Sequence, residues 1–459
     1  MNKQKATKKQ ISITEGSIWK SMLTYFFALL LGAFFQQLYN TVDAVIVGRA
    51  VSSDALAAVG GSSATVVNLF VGFFMGLSTG ATVVISQFFG AGRKEEVSKA
   101  VHTAIAVAII GGAIITVIGF GSASWIIKAM KTPPETVEAS TLYLRIFFLG
   151  MIPNLVYNMG AGILRAIGDS RRPLIVLIIS CFVNIFLDVL FVIALGMGKR
   201  GDVSGVTGVA VATVLCQLLS AVIVCGILMR STDSYRLDIR KIRLDRGMLS
   251  RIISIGLPAA FQSTMYTFSN ILIQSSINEF GKDTAAAWAA YGKIDVVFWM
   301  TMNSLGTSAM TFVGQNFGAG KMDRVRKCVR EAFAIALIIT IPMSILIILG
   351  RSLLLGIFVN TDAVIEIGDQ MIRFLAPFYV TYIGIEIFSC TLRGMGDALI
   401  PMIITLSGVC ILRVGWVLVA FPIVRTVQTV EWSYPITWIT TSLLFFIYYM
   451  YYTKKKKIR

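Results

Sequence analysis

Apolar runs of about 20 residues recur from one end of the chain to the other, separated by short polar joins. Each is long enough to cross a hydrocarbon core of about 30 Å as a helix. Run length and breakers together predict about twelve spans. They lie near 20–42, 55–88, 100–125, 136–158, 163–195, 206–229, 252–277, 284–312, 331–350, 363–386, 395–421 and 434–452. The strands of a transmembrane barrel would be about 10 residues long and would alternate in polarity; these runs do neither. No join is long enough for a soluble domain. The predicted fold is all-α and polytopic, with about twelve transmembrane helices in two six-helix, pseudo-symmetric lobes.

Composition agrees. Only 14% of the 459 residues are charged, against about 25% in a soluble chain. The net charge of +17 would suit a nucleic-acid binder, but its distribution fits a membrane protein better. An even number of spans puts both termini on one side. That side carries 29 of the 41 basic residues, the other side eight, and four lie within or at the ends of spans. Basic residues collect in cytoplasmic loops, so both termini are expected in the cytoplasm, with the chain in the cytoplasmic membrane. The first 20 residues hold five lysines ahead of a long apolar run without a clear cleavage site. This reads as an uncleaved first helix. The six cysteines are scattered without a CxxC pair, so neither zinc nor a disulfide framework is indicated.

The chain repeats itself. Ser86-Gln87-Phe88-Phe89-Gly90-Ala91-Gly92 matches Gly314-Gln315-Asn316-Phe317-Gly318-Ala319-Gly320 at five of seven positions, at an offset of 228. Leu164-Arg165-Ala166-Ile167-Gly168-Asp169 and Leu392-Arg393-Gly394-Met395-Gly396-Asp397 share Leu, Arg, Gly and Asp at the same offset, and Pro173 matches Pro401. One offset for separate motifs predicts a duplication: an N-terminal lobe over 1–229, a basic, solvated cytoplasmic linker over 230–251, and a C-terminal lobe over 252–459. The glycines Gly90, Gly92, Gly318 and Gly320 suit tight turns with positive φ. Arg165 with Asp169, and Arg393 with Asp397, are expected to tie helix ends together.

Ionisable residues inside spans are costly and mark function by default. Gln36, Asn40 and Asp43 share one face of the first span, and Asn184 and Asp188 are one turn apart in the fifth. Together they predict an oxygen-rich pocket. Two close carboxylates in a low dielectric cannot both ionise cheaply, so the pair is suited to carry H⁺, or to hold Na⁺ once deprotonated. The offset puts Ile271 and Trp416 opposite Asp43 and Asp188, so the carboxylate pair is not duplicated. In the second half, Asp295 and Glu386 are candidates for attracting a cation, Glu386 and Arg413 for an internal ion pair, and Lys293 has no assigned role. Tyr39, Tyr157 and Met300 are candidate substrate contacts, since aromatics and methionine suit an adaptable cation pocket. The lone histidine, His102, reads as a surface residue near the start of the third span.

The repeated Gln-x-Phe-Gly-Ala-Gly and Leu-Arg-x-x-Gly-Asp elements, with Asn40-Thr41-Val42-Asp43, resemble the MATE (multidrug and toxic compound extrusion) family over roughly 15–455, in its small prokaryotic branch. The resemblance implies two six-helix lobes in a V that work by alternating access. It also implies export of cationic or amphipathic compounds against inward H⁺ or Na⁺, and an aspartate in each of the first and fifth helices. Partners are then small organic substrates and membrane lipid, with no nucleic acid, obligatory protein partner or cofactor. The competing reading is a lipid-linked sugar or polysaccharide flippase, which would favour a cationic cavity for pyrophosphate; the first-lobe interior is acidic instead. No nucleophile–base pair, HExxH or Walker motif points to an enzyme.

Overall fold

The computed structural model describes residues 13–457. Lys3, Lys5, Lys8, Lys9 and Arg459, which entered the charge count, lie outside the described residues. Among the described residues there is no strand, and twelve helical spans follow one another. They are α1 (Ile18–Ala50), α2 (Ser53–Gly90), α3 (Lys94–Ala129), α4 (Pro134–Leu149 and Met151–Ala166), α5 (Arg171–Ala194), α6 (Asp202–Met229), α7 (Arg246–Asn278), α8 (Lys282–Gly318), α9 (Met322–Gly356), α10 (Asp362–Gly394), α11 (Leu399–Ile423) and α12 (Val427–Lys457). Eight are long and apolar enough to cross a membrane unaided, nine with the bent pair of α4. Polar residues spread along α7, α8 and α12 hold those three below that mark. Some are turned inward: Gln262, Ser269, Glu431, Ser433 and Thr437 are all buried.

The breaks have local causes. α4 bends by 51° at Gly150, three residues before Pro153, whose missing N–H breaks the helical ladder. Pro377 sits in a short 3₁₀ turn, Ala376–Phe378, inside α10. α5 widens into a π-turn over Val189–Ala194, immediately after Asp188. Such turns gather at functional sites.

The helices group into two compact units, one over 27–256 and the other over 13–26 with 257–457. α1 and α7 therefore each begin in one unit and continue in the other. In the first unit, Val47, Ala55, Ala139, Tyr143, Val192 and Val209 are part of one buried cluster joining α1, α2, α4, α5 and α6. In the second, the segment before α1 is fastened to the α8–α9 turn. Arg324 donates to the carbonyls of Ile13 and Gly16, and Lys321 to that of Thr14.

The repeated motifs adopt matching turns. At the end of α2, Arg93 N–H bonds Phe88 O at 3.0 Å, and at the end of α8, Lys321 N–H bonds Asn316 O at 2.9 Å. Gly92 and Gly320 both take φ +70°, the left-handed cap in which a Cβ is strained. Gly90 and Gly318 are the last helical residues and do not share that φ, which corrects their expected role. Gly168 and Gly396 form a second matched pair of turns, at φ 90° and 92°.

The linker is less solvated than its composition suggests. Tyr235 and Leu237 are buried, and His102 on α3 accepts the Asp238 N–H through Nε2 at 3.0 Å. His102 is 4% exposed, so it is a docking post for the linker and not a surface residue.

Close approach of backbones holds the start of α7 to α2 within the first unit. A Cβ on Gly80 would lie 2.3 Å from Ile252 O and 2.6 Å from Gly256 N. Neither is a flexible side chain that can move aside, and small residues are what permit such crossings in a membrane. Gly80→Ala is expected to destabilise the protein by about 1–3 kcal/mol, read as a lower melting temperature in detergent. Gly92→Asn, which tolerates the left-handed region, should cost far less.

Candidate functional site

The first unit contains a buried polar pocket. Asp43 on α1 and Asp188 on α5 come within side-chain hydrogen-bonding reach of each other. Asp188 and Asn184 are fully buried. Asp43 Oδ1, both Asp188 carboxyl oxygens and both polar atoms of Asn184 are buried without a hydrogen-bond partner. Ionised carboxylates are acceptors only, so the Asp43–Asp188 contact becomes favourable only with a proton or cation between them. Leaving a buried charge uncompensated costs about 3–5 kcal/mol. The arrangement therefore favours capture of a positive species.

Tyr39, one turn before Asp43, faces the same region and donates to Thr213 Oγ1 of α6 at 3.2 Å. Tyr143 of α4 stands close to both aspartates. Cys216 of α6 lies beside Asn184, and Cys181 of α5 is near Asp43. Gln36 and Asn40 do not join this pocket: both are exposed. Tyr39, on the same helical face, is half-buried. Tyr157 is half-buried on the second arm of α4, where Arg165 is its charged neighbour.

The motif aspartates act as caps. Asp169 Oδ1 accepts the Arg171 and Arg172 amides at the start of α5, and Oδ2 pairs with the Arg172 side chain at 3.1 Å. Asp397 Oδ1 accepts the Ile400 amide of α11, and Oδ2 accepts the Tyr448 hydroxyl of α12 at 2.5 Å. Arg393 turns away from Asp397 and donates to Cys390 Sγ at 3.3 Å.

In the second unit, Glu386 and Arg413 do not pair. Glu386 is held on its own helix: Tyr382 Oη donates to Oε2 at 3.3 Å, Cys390 Sγ to Oε1 at 3.4 Å, and Arg393 supplies the nearby positive charge. Arg413 lies 4.2 Å over the Tyr434 ring and donates to Thr437 at 3.4 Å. Asp295 Oδ2 accepts from Trp299 Nε1 at 2.6 Å, and the hydroxyls of Tyr291 and Tyr379 lie against it. Met300 is half-buried on the next turn, and Lys293 is exposed. Glu431 of α12, buried with one oxygen unpartnered, carried no signal in the sequence beyond being an acid in an apolar run. Among the described residues no group of three or more His, Cys, Asp or Glu is placed to hold a metal ion.

The MatE family model matches residues 28–190 and again 258–417, more than half of the chain. The chain belongs to the MatE family. Its similarity to one named relative covers nearly the whole chain. It is 27% identical over 447 residues to the Bacillus subtilis "probable multidrug resistance protein YoeA", covering 96% of each chain. It is 26% identical over 352 residues to a "probable multidrug resistance protein NorM" of Thermotoga maritima, covering 76% of this chain and 74% of the relative. A MOP superfamily transporter from Pyrococcus furiosus superposes with a TM-score of 0.90 at 22% identity, over 98% of this chain and 99% of its own. A MATE structure in the straight conformation gives 0.90 at 21%, over 99% and 100%. This MATE protein is thus a multi-pass membrane transporter and not an enzyme.

Tyr143, Thr213 and Cys216 escaped sequence reasoning, since a tyrosine, threonine or cysteine in an apolar run is unremarkable there. The i, i+4, i+8, i+11 series of Tyr382, Glu386, Cys390 and Arg393 was readable, because all four residues sit on one helix. The Tyr39–Thr213 bond is testable by a double-mutant cycle. Tyr39→Phe, Thr213→Val and the combination should give a coupling of about 0.5–1.5 kcal/mol in thermal unfolding.

Proposed function

We propose that this MATE transporter is a secondary antiporter that exports organic cationic or amphipathic compounds in exchange for H⁺ or Na⁺. Coupling is assigned to Asp43 and Asp188, with Asn184 supplying a further oxygen. The observation that carries this reading is the meeting of two carboxylates whose buried oxygens have no donor. A cation entering between them changes the charge and hydrogen bonding that α1 and α5 share. It can drive transport only by binding two conformations with different affinity. The names of the Bacillus subtilis and Thermotoga maritima relatives support a multidrug substrate class.

A duplicated architecture, with lobes over 1–229 and 252–459 joined by the linker 230–251, completes the proposal. Its supports are the two separate family matches and the paired glycine turns at Gly92/Gly320 and Gly168/Gly396. The aspartates occur in one half only, so coupling is asymmetric. The charge distribution puts both termini in the cytoplasm. An acidic pocket is a poor host for pyrophosphate, which argues against a lipid-linked sugar flippase.

In proteoliposomes, efflux of a fluorescent organic cation should respond to a pH gradient or to a Na⁺ gradient imposed alone, and the active gradient names the ion. Asp43→Asn and Asp188→Asn should each lower gradient-driven efflux tenfold or more while the melting temperature stays within a few degrees of wild type. Full efflux from either variant would remove that residue from the coupling step.

A further inference from the structure

A second polar cavity lies in the first unit, where the linker docks on the start of α3. It encloses about 290 Å³ and is lined by Lys99, Arg240, Lys241, Arg243 and Asp245 together with Ser98, His102 and Thr103. Four cations face one carboxylate. That carboxylate is already engaged, since Asp245 Oδ1 accepts the Met248 amide at the start of α7. Lys99 is held by Glu95 at 2.7 Å, and Lys241 lies 3.8 Å from Asp238. The guanidinium groups of Arg240 and Arg243 have no hydrogen-bond or ion-pair partner among the described residues.

The walls of this cavity are fixed. His102 takes the Asp238 amide through Nε2 and places Nδ1 2.6 Å from Ser98 O. That pair of contacts requires the neutral Nδ1–H tautomer. Thr103, fully buried, accepts the Asp245 amide and donates to Arg243 O. The linker backbone is therefore pinned at 238, 243 and 245, with the unpartnered side chains of Arg240, between two pins, and Arg243, at one, both exposed. Guanidinium is the side chain best matched to bidentate phosphate recognition. Basic pockets at the ends of transmembrane helices take anionic head groups.

We infer that this cavity is an anion site for a phosphate group, supplied either by the head group of an acidic phospholipid in the adjoining leaflet or by inorganic phosphate from the aqueous phase. Arg240 and Arg243 are the principal ligands, with Lys99 and Lys241 at the rim. The site is independent of the aspartate pocket and needs no assumption about the transported compound.

The test uses the full chain, delipidated in detergent. Its melting temperature is followed with added phosphatidylglycerol, with phosphatidylcholine, and with sodium phosphate against sodium chloride at equal ionic strength. A shift with phosphatidylglycerol alone identifies a lipid source, and a shift with phosphate identifies a soluble one. The R240Q/R243Q double variant should bind the effective anion about thirty-fold more weakly, at about a factor of five per arginine near a membrane surface. Its melting temperature without anion should be unchanged, because those side chains hold nothing in place. The charge-preserving R240K/R243K variant should keep only part of the shift, since an ammonium cannot bind phosphate bidentately. A response to neither anion would overturn the assignment. So would an equal loss in R93Q/K94Q, which removes two exposed charges outside the cavity and would reduce the effect to diffuse surface charge.

Discussion

A lipid interior offers no hydrogen bonds, so a membrane-spanning chain must satisfy its polar groups from within. Much of this structure follows from that one constraint. Backbone groups are spent in helices. Serine and threonine hydroxyls inside the spans turn back to the carbonyl four residues earlier, as at Thr82, Ser86, Thr301 and Ser308. Helix ends close on themselves through the turns at Gly92 and Gly320, or borrow a carboxylate, as α5 does from Asp169. Against that background the atoms left unmatched stand out. Asp43, Asn184 and Asp188 gather five of them in one place.

The two units meet the same constraint by different means. In the first, the acids face each other across helices and lack donors. In the second, Glu386 is matched along its own helix by Tyr382 and Cys390, while Arg413, over an aromatic face and bonded to a threonine, and Asp295, bonded to an indole N–H, each keep one unpartnered atom, as Glu431 does. A matched charge is a structural element, whereas an unmatched one waits for a partner. The meeting of two acids, Asp43 and Asp188, in the first unit agrees with the proposed asymmetry of coupling.

Much of the architecture was legible in the sequence because transmembrane helices are read from length and apolarity alone. The twelve helical spans follow the twelve apolar runs, and the repeated glycine motifs mark real turns. Facing was not legible. In a soluble helix polar residues point out, but in a membrane they point in, out or into a pocket with equal chemical reason. Gln36, Tyr39, Asn40 and Asp43 share one helical face, yet Tyr39 is half-buried while Gln36 and Asn40 are exposed. Contacts between helices were hidden for a related reason. His102 meets Asp238 across 136 positions, and Glu386 prefers residues on its own helix to Arg413, although the sequence made both acceptable. Periodicity reports which residues share a face, and not which face meets which.

The unpartnered oxygens between α1 and α5 have a consequence for how strongly any ion is held. An ion leaving water for a flexible site must strip its own shell and also drag ligands into position. Here the ligands have already lost their water and taken their places, and the penalty was incurred when the chain folded. Binding then starts from a preorganised cage, in which a small displacement of α1 relative to α5 changes affinity steeply. In the proposed coupling role, selectivity and release would both be set by the spacing of these two helices.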